Sequence, residues 1–495
     1  MLGRAAQLPG GEEVKCLIAF TGRHGKLAAM LRVLLAAALL SGCGDNLQVE
    51  PGPDPAFLDR LNALPGVTAV EASTETTGYT FYEVTFRQPV DHEAPSGPTF
   101  AQTVSLLHAS TAAPMVVFTT GYWDYYRDTP SELARLLSAN QVSIEHRFFG
   151  TSRPEPADWS KLTIKQMADD EHAIIEALRT LYGGAFVTTG GSKGGMTAVY
   201  HRRFYPDDVE ATVPYVAPLS FGAPDGRYAP FLDTIGPDDC RQKVRDAATE
   251  MLANRRAAML QRATDQAAAD GHSYTRVAIG PAVESSISSL EWAFWQYYGV
   301  GACNSVPVAS ATDDELWAFL DEISPVADND DDQIGAFDAY YYQAYAQLGY
   351  PDGGADYLDP HLMYADADYA GSLPTEEPAY DGGAAMRDID QWVQSEGRQL
   401  LFLYGEWDPW TGGAFELGNA QDSLRVTQAQ GTHGARIGRL AAADQDAVNA
   451  KLAAWTGVIP LGFNQRSREL DLVRPEPRVP PGIHRALRAR GKLAP

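Results

Sequence analysis

Residues 190–194, Gly-Gly-Ser-Lys-Gly, set a serine inside a G-x-S-x-G pattern, with a further glycine at 195. A serine hydroxyl is a weak nucleophile until a positioned base removes its proton. Ser192 is therefore the candidate nucleophile. The chemistry also needs a histidine as base and a carboxylate that fixes its tautomer. Where the serine sits on a strand-to-helix turn, these follow in the order Ser, Asp, His. Downstream, Gly405-Glu406-Trp407-Asp408-Pro409-Trp410 offers Asp408, with Glu406 as a local rival, and Gly431-Thr432-His433-Gly434 offers His433. A histidine between glycines in a loop has no packing task. His108, His146, His172 and His201 precede or closely follow the serine, and His272, His361 and His484 lie in other segments, so they suit the order less well. The oxyanion formed on attack would be held by two backbone N–H groups, that of Lys193 and that of Tyr122 in Gly121-Tyr122-Trp123-Asp124. The Lys193 side chain needs no chemical role and reads as solvated or salt-bridged.

Three stretches this far apart meet only if a scaffold carries each to the same edge. Ala185–Thr189 is a short apolar strand running into the serine turn, and Met196–Phe204 is a helix leaving it. Before them, Tyr79–Phe86 and Phe100–Leu107 alternate apolar and polar residues about a Pro- and Gly-rich loop, the pattern of an antiparallel pair. Met115–Thr119, Gln141–Glu145 and Ala211–Val216 read as strands, and Ser131–Leu137 and Ile164–Leu181 as helices. Strands alternating with helices imply a mostly parallel sheet covered on both faces. From about 221 to 380 the alternation stops. Helical stretches at Arg241–Asp265, Ser286–Tyr298 and Asp313–Ile323 with many tyrosines read as an inserted, mainly helical cap. Strands resume at Leu400–Tyr404 and Leu424–Thr427, and a helix at Gly438–Trp455. The expected fold class is α/β, an α/β-hydrolase fold whose core runs 57–220 and 381–457 around the cap, with an extension at 458–495. The tail from Arg474 holds six basic residues against one acid and reads as loosely ordered.

Four ordered motifs carry a resemblance: Gln88-Pro89-Val90-Asp91-His92, Glu145-His146-Arg147-Phe148-Phe149-Gly150, Gly190–Met196 and Trp407-Asp408-Pro409-Trp410. Together they resemble the S37 peptidases, secreted bacterial prolyl tripeptidyl aminopeptidases, and more distantly the S28 prolyl exopeptidases. The resemblance runs from about Tyr79 to Trp455. It implies peptide substrates, the triad Ser192, Asp408 and His433, and a proline slot at Met196 and Trp410, where an apolar, flat-walled cavity suits the ring. It also requires a carboxylate for the substrate's free amine, because a buried charged amine left unpaired is costly. The S28 pattern has an acid in the loop that here reads Gly121-Tyr122-Trp123-Asp124. The candidates are therefore Glu145, Asp124 and the run Asp328-Asn329-Asp330-Asp331-Asp332.

Export is expected from the N-terminus. Leu31–Leu40 is an apolar run too short to span a bilayer but suited to a signal-peptide core, and Met30 is an alternative start to Met1. Leu40-Ser41-Gly42-Cys43 resembles a lipobox, so residues 1–43 read as a signal peptide ending at a lipidated Cys43, and 44–56 as a tether. The protein would then stand outside the cytoplasm, in contact with a bacterial membrane through that lipid or else secreted. In an oxidising compartment Cys240 and Cys303, the pair left in the body, are expected to join. No Cys/His cluster has zinc-ligand spacing, and no cofactor or metal is implied. A net charge of −25 argues against nucleic acid as a partner. Two rivals share these features: an esterase or lipase with the same triad, and a catalytically inactive surface-binding lipoprotein.

Overall fold

Nine strands form one sheet in the order β1-β2-β3-β5-β4-β6-β7-β8-β9. The computed structural model describes residues 55–125, 128–364, 370–375 and 377–461. The leader with Cys43, the tether up to residue 54 and the tail from 462 lie outside the described residues. The strands are β1 (Val67–Ala72), β2 (Thr80–Pro89), β3 (Thr99–His108), β4 (Met115–Thr119), β5 (Asn140–Ile144), β6 (Phe186–Gly191), β7 (Ala211–Tyr215), β8 (Leu401–Gly405) and β9 (Leu424–Gln428). β1, β2, β3 and β5 pair antiparallel in that order, and from β5 through β4 and β6 to β9 every pairing is parallel.

Strands β4 to β8 are buried at every position, as expected of strands covered on both faces. The period of two sorts their side chains. Val117 joins Phe57, Ile174 and Leu178 on one face, whereas its neighbour Val116 joins Leu133, Val213 and Val448 on the other. The first face is covered by α1 (Pro55–Asn62) and α3 (Ile164–Arg179), the second by α2 (Glu132–Leu137) and α13 (Ala442–Thr456). Helices α4 (Lys193–Phe204) and α12 (Ala384–Glu396) pack on Phe402 and Tyr404 of β8. Pro55 already opens α1, so the tether ends before Ala56.

Between β7 and β8 the chain is helical: α5 (Tyr228–Leu232), α6 (Asp238–Ala253), α7 (Arg256–Asp270), α8 (Ile279–Ser288), α9 (Leu290–Ala293), α10 (Asp313–Ile323) and α11 (Asp331–Gln343). The single helix expected over Arg241–Asp265 is two. Glu250 draws the Asn254 amide and the Arg255 guanidinium (2.8 Å) back onto itself and ends α6. The helix expected over Ser286–Tyr298 is also divided, and its last turn, Phe294–Tyr298, is π-helical. Cys240 on α6 and Cys303 just beyond that turn form a disulfide with Cα atoms 5.4 Å apart. The acidic run is not a loop on its own. Asp330 caps α11 through the Gln333 N–H and meets His272, while Asp331 accepts from Ser273, Thr275 and Arg276.

Candidate functional site

The serine turn forms where β6 meets α4. Ser192 has φ 50° and ψ −122°, a strained conformation for a residue with a side chain. Glycines make the turn possible: a Cβ at Gly190 would strike Gly194 and Thr119, and one at Gly195 would strike Ala217. The turn lifts Ser192 to the carboxyl edge of the sheet, with the first turn of α4 directly behind it. The unpaired N–H groups of that turn and the helix dipole favour negative charge there.

Two neighbouring strands deliver the other groups to the same edge. Asp408, fully buried, lies three residues past β8, and His433 lies in the loop after β9. His433 Nδ1 stands 2.7 Å from Asp408 Oδ2, while Asp408 Oδ1 accepts the Trp410 N–H at 3.1 Å. Glu406, the rival acid, instead accepts the Gln430 N–H at 2.7 Å, away from the imidazole. The π-helical turn of the cap meets this loop directly, since the His433 N–H donates to the Gln296 carbonyl at 2.9 Å. The histidines rejected on sequence order have other work, for example His108 with Tyr182 and His172 and His201 with Asp208.

A cavity of about 550 Å³, counting its open mouth, lies at this edge. Ser192 and His433 both line it, together with Tyr122, Lys193, Met196 and Trp410. The cap adds Tyr297, Tyr340 and Leu348. The residues expected at the proline slot therefore share one cavity with the serine. The Trp410 ring stands nearly perpendicular to Trp292 at 5.3 Å and to Tyr228 at 5.9 Å between centroids, which makes an aromatic wall.

Glu145 is not in that cavity, and its expected contact with substrate is corrected by the structure. Its carboxylate accepts the Asp124 N–H at 3.1 Å, the N–H groups of Thr151 (2.9 Å) and Ser152 (3.0 Å), and the Ser152 hydroxyl at 2.8 Å. With its acceptor capacity engaged inside the protein, Glu145 braces two loops rather than meeting an amine. Asp124 likewise accepts from Ser143 at 2.7 Å, and Asp330 and Asp331 hold α11 as described above. None of the residues lining the cavity, among the described residues, is a carboxylate.

Lys193 is the second correction. It is 3% exposed rather than solvated, and its Nζ donates to the Gly121 carbonyl at 2.7 Å between the rings of Tyr122 and Phe149. Burial holds its pKa well below the ordinary lysine value, with the nearby Glu171 pulling the other way. Burial, reinforced by Asp170, drives the Glu171 carboxyl well above its ordinary range. His146, buried beside them, is kept well below its ordinary value by burial and then by the Lys193 charge.

The two motifs without a place in the triad prove to be one brace. Arg147, fully buried, grips Asp170 of α3 with two bonds at 2.7 and 2.8 Å and reaches the Pro89 and Val90 carbonyls. Gln88 donates to the Asp170 carbonyl, and Lys161 bonds Asp91 at 2.6 Å. From this knot the chain reaches the loop after β4, where the His146 N–H donates to the Tyr122 carbonyl at 2.9 Å. No local pattern marks such a brace, because its partners lie far apart in sequence.

Comparison with known proteins follows the same lines. Residues 54–471 match the family described as PS-10 peptidase S37. The chain is 39% identical over 442 residues to the prolyl tri/tetrapeptidyl aminopeptidase of Streptomyces mobaraensis, covering 87% of this chain and 92% of that one. Among solved structures it is similar to the proline iminopeptidase of Mycobacterium smegmatis (14% identity, 75% of this chain and 99% of that one, TM-score 0.35). It is also similar to a brefeldin A esterase (12% identity, 86% and 85%, TM-score 0.32). The sheet order, the serine turn and the family match agree: this chain is an α/β-hydrolase-fold serine peptidase and belongs to the S37 peptidases.

Proposed function

We propose that the protein is an exported serine exopeptidase that releases short N-terminal peptides, tripeptides above all, with proline preferred at the cleavage point. One observation supports the mechanism above others: the His433–Asp408 pair lines up behind a cavity that Ser192 also lines. Ser192 attacks the scissile carbonyl and His433 takes its proton. The bond to the leaving amine then breaks as His433 returns that proton, leaving an acyl-enzyme on Ser192. Water, activated by His433, attacks the ester and frees the peptide. Asp408 holds the imidazole with Nε2 toward the serine and stabilises its cationic form. The N–H groups of Lys193 and Tyr122 bind the oxyanion.

The aromatic wall of Trp410 beside Met196 suits a proline ring, and the Streptomyces mobaraensis relative is named a prolyl tri/tetrapeptidyl aminopeptidase. A helical cap over the cavity would admit chain ends and flexible peptides and exclude folded proteins. We place the enzyme outside the cytoplasm on a lipid at Cys43, a reading that rests on the leader sequence alone.

Incubating the full chain with a peptide library and identifying the products by mass spectrometry tests the substrate reading. The expected products are tripeptides ending in proline. Turnover of short nitrophenyl esters without any amide cleavage would favour an esterase and refute it. Fluorophosphonate labelling that survives Ser192→Ala would refute the assignment of the nucleophile.

A further inference from the structure

We propose that the Lys193 side chain is a positioning residue of the oxyanion site, holding and polarising the Gly121–Tyr122 peptide group through a hydrogen bond to its carbonyl oxygen. The inference rests on the reading above in which the Tyr122 N–H binds the oxyanion.

The Gly121 carbonyl and the Tyr122 N–H are the two ends of one peptide group. A donor on the oxygen, here Lys193 Nζ at 2.7 Å, draws electron density from the nitrogen and makes the N–H a better donor. The bond also fixes the direction in which that N–H points. The amine can serve whether charged or neutral, since both forms carry N–H hydrogens. Its site is built for one orientation: the side chain is buried, flanked by the Tyr122 and Phe149 rings at 5.6 and 5.2 Å. Gly121 has φ +73°, and a Cβ there would lie 2.5 Å from the Gly194 nitrogen, so the loop is pressed against the first turn of α4. Lys193 thus joins both oxyanion donors, one by its own backbone N–H and the other through its side chain.

The loop has other anchors, which limits the effect. The His146 N–H (2.9 Å) and the Thr120 hydroxyl (2.8 Å) both donate to the Tyr122 carbonyl, and Glu145 holds the Asp124 N–H. Removing an oxyanion donor outright costs about 10²- to 10³-fold in kcat, so weakening one should cost about 10- to 100-fold.

Lys193→Met keeps the apolar stem as far as Cε and deletes the donor. The full-length variant is assayed on a prolyl-tripeptide nitroanilide, with two inhibitors alongside. The tripeptide aldehyde forms a tetrahedral oxyanion on the serine, whereas the product tripeptide does not. The expected result is a kcat lower by about 10- to 100-fold with KM within about 2-fold, and aldehyde inhibition weakened by a similar factor. Inhibition by the product tripeptide should stay as in the parent. An unchanged kcat would overturn the proposal, and so would equal weakening of aldehyde and product. Should Lys193→Met fail to fold, Lys193→Gln takes its place. Its amide is one atom too short to keep the bond, so the ratio of aldehyde to product affinity must again fall. A parent enzyme that neither cleaves the nitroanilide nor takes up a fluorophosphonate refutes the functional reading itself. An active parent with an indifferent Lys193→Met refutes only the role of the lysine.

Discussion

Asp408→Asn changes one atom of the site, and the structure dictates how the new amide must sit. In the native protein Oδ1 accepts the Trp410 N–H at 3.1 Å and Oδ2 faces His433 Nδ1 at 2.7 Å. The amide oxygen will stay opposite Trp410, because the flipped amide would set its NH₂ against that N–H. In this buried place an unsatisfied donor costs about 1–3 kcal/mol. The NH₂ then faces His433 Nδ1 as a donor and selects the tautomer that carries hydrogen on Nε2, which cannot accept the serine proton. Escape through the flip costs those same 1–3 kcal/mol, or about 5- to 150-fold, and the carboxylate charge that stabilises the imidazolium is lost besides. Together the two effects should approach the roughly 10⁴-fold loss typical of this replacement in Ser-His-Asp systems, about 5.5 kcal/mol in the barrier. Steady-state kcat/KM on a prolyl-tripeptide nitroanilide measures the loss, and thermal melting checks that the fold is kept. A loss below about 10-fold in a fully folded variant would refute the reasoning, because Asp408 would then not be setting the tautomer.

Other expected outcomes follow from the same geometry. His433→Ala should lower the rate by at least about 10³-fold, read on the same substrate. Arg147→Met leaves the buried Asp170 carboxylate without its guanidinium, with only the His92 ring beside it, and should cost about 3–5 kcal/mol in denaturant unfolding, while Arg147→Met combined with Asp170→Leu should recover much of it. Glu145→Gln should leave unchanged the preference for free over N-acetylated peptides, since Glu145 bonds protein N–H groups and not the cavity; a selective loss on free peptides would contradict this placement. Reducing the Cys240–Cys303 disulfide, which spans 63 residues, should remove about 4 kcal/mol by chain entropy and lower Tm measurably. Desolvation pushes the Asp331 carboxyl up, but the Arg276 N–H and the hydroxyls of Thr275 and Ser273 outweigh it and hold its pKa at about 2. A carboxyl lowered on folding contributes stability above its unfolded pKa and loses it as pH falls through the folded value. Melting of the parent should therefore weaken between about pH 4 and pH 2, and Asp331→Ala should flatten that limb.

The residues of the proposed triad were legible in the sequence because each belongs to a short local rule. A serine between glycines after an apolar strand demands a sharp turn, and an acid and a histidine just past two later strands reach the same edge of any parallel sheet that contains all three. The alternation of buried strands with amphipathic helices likewise announced the fold, since periods of 2 and 3.6 are properties of contiguous residues. What escaped depended on partners distant in sequence. Glu145 and Lys193 are charged residues beside a site, and their types alone suggest contact with substrate or with water. Only the folded chain shows that Thr151, Ser152 and Asp124 surround one carboxylate and that the Gly121 carbonyl takes the other residue's amine. The division of the expected helix at Asn254 has the same origin, because the Glu250 carboxylate gathers the side chains of Asn254 and Arg255, contacts that a hydrophobic period does not record. Sequence determined which groups could react and which elements carry them. Tertiary structure decided which charged side chains are spent on holding the loops still, because burial and hydrogen-bond satisfaction are settled by neighbours that only folding brings together.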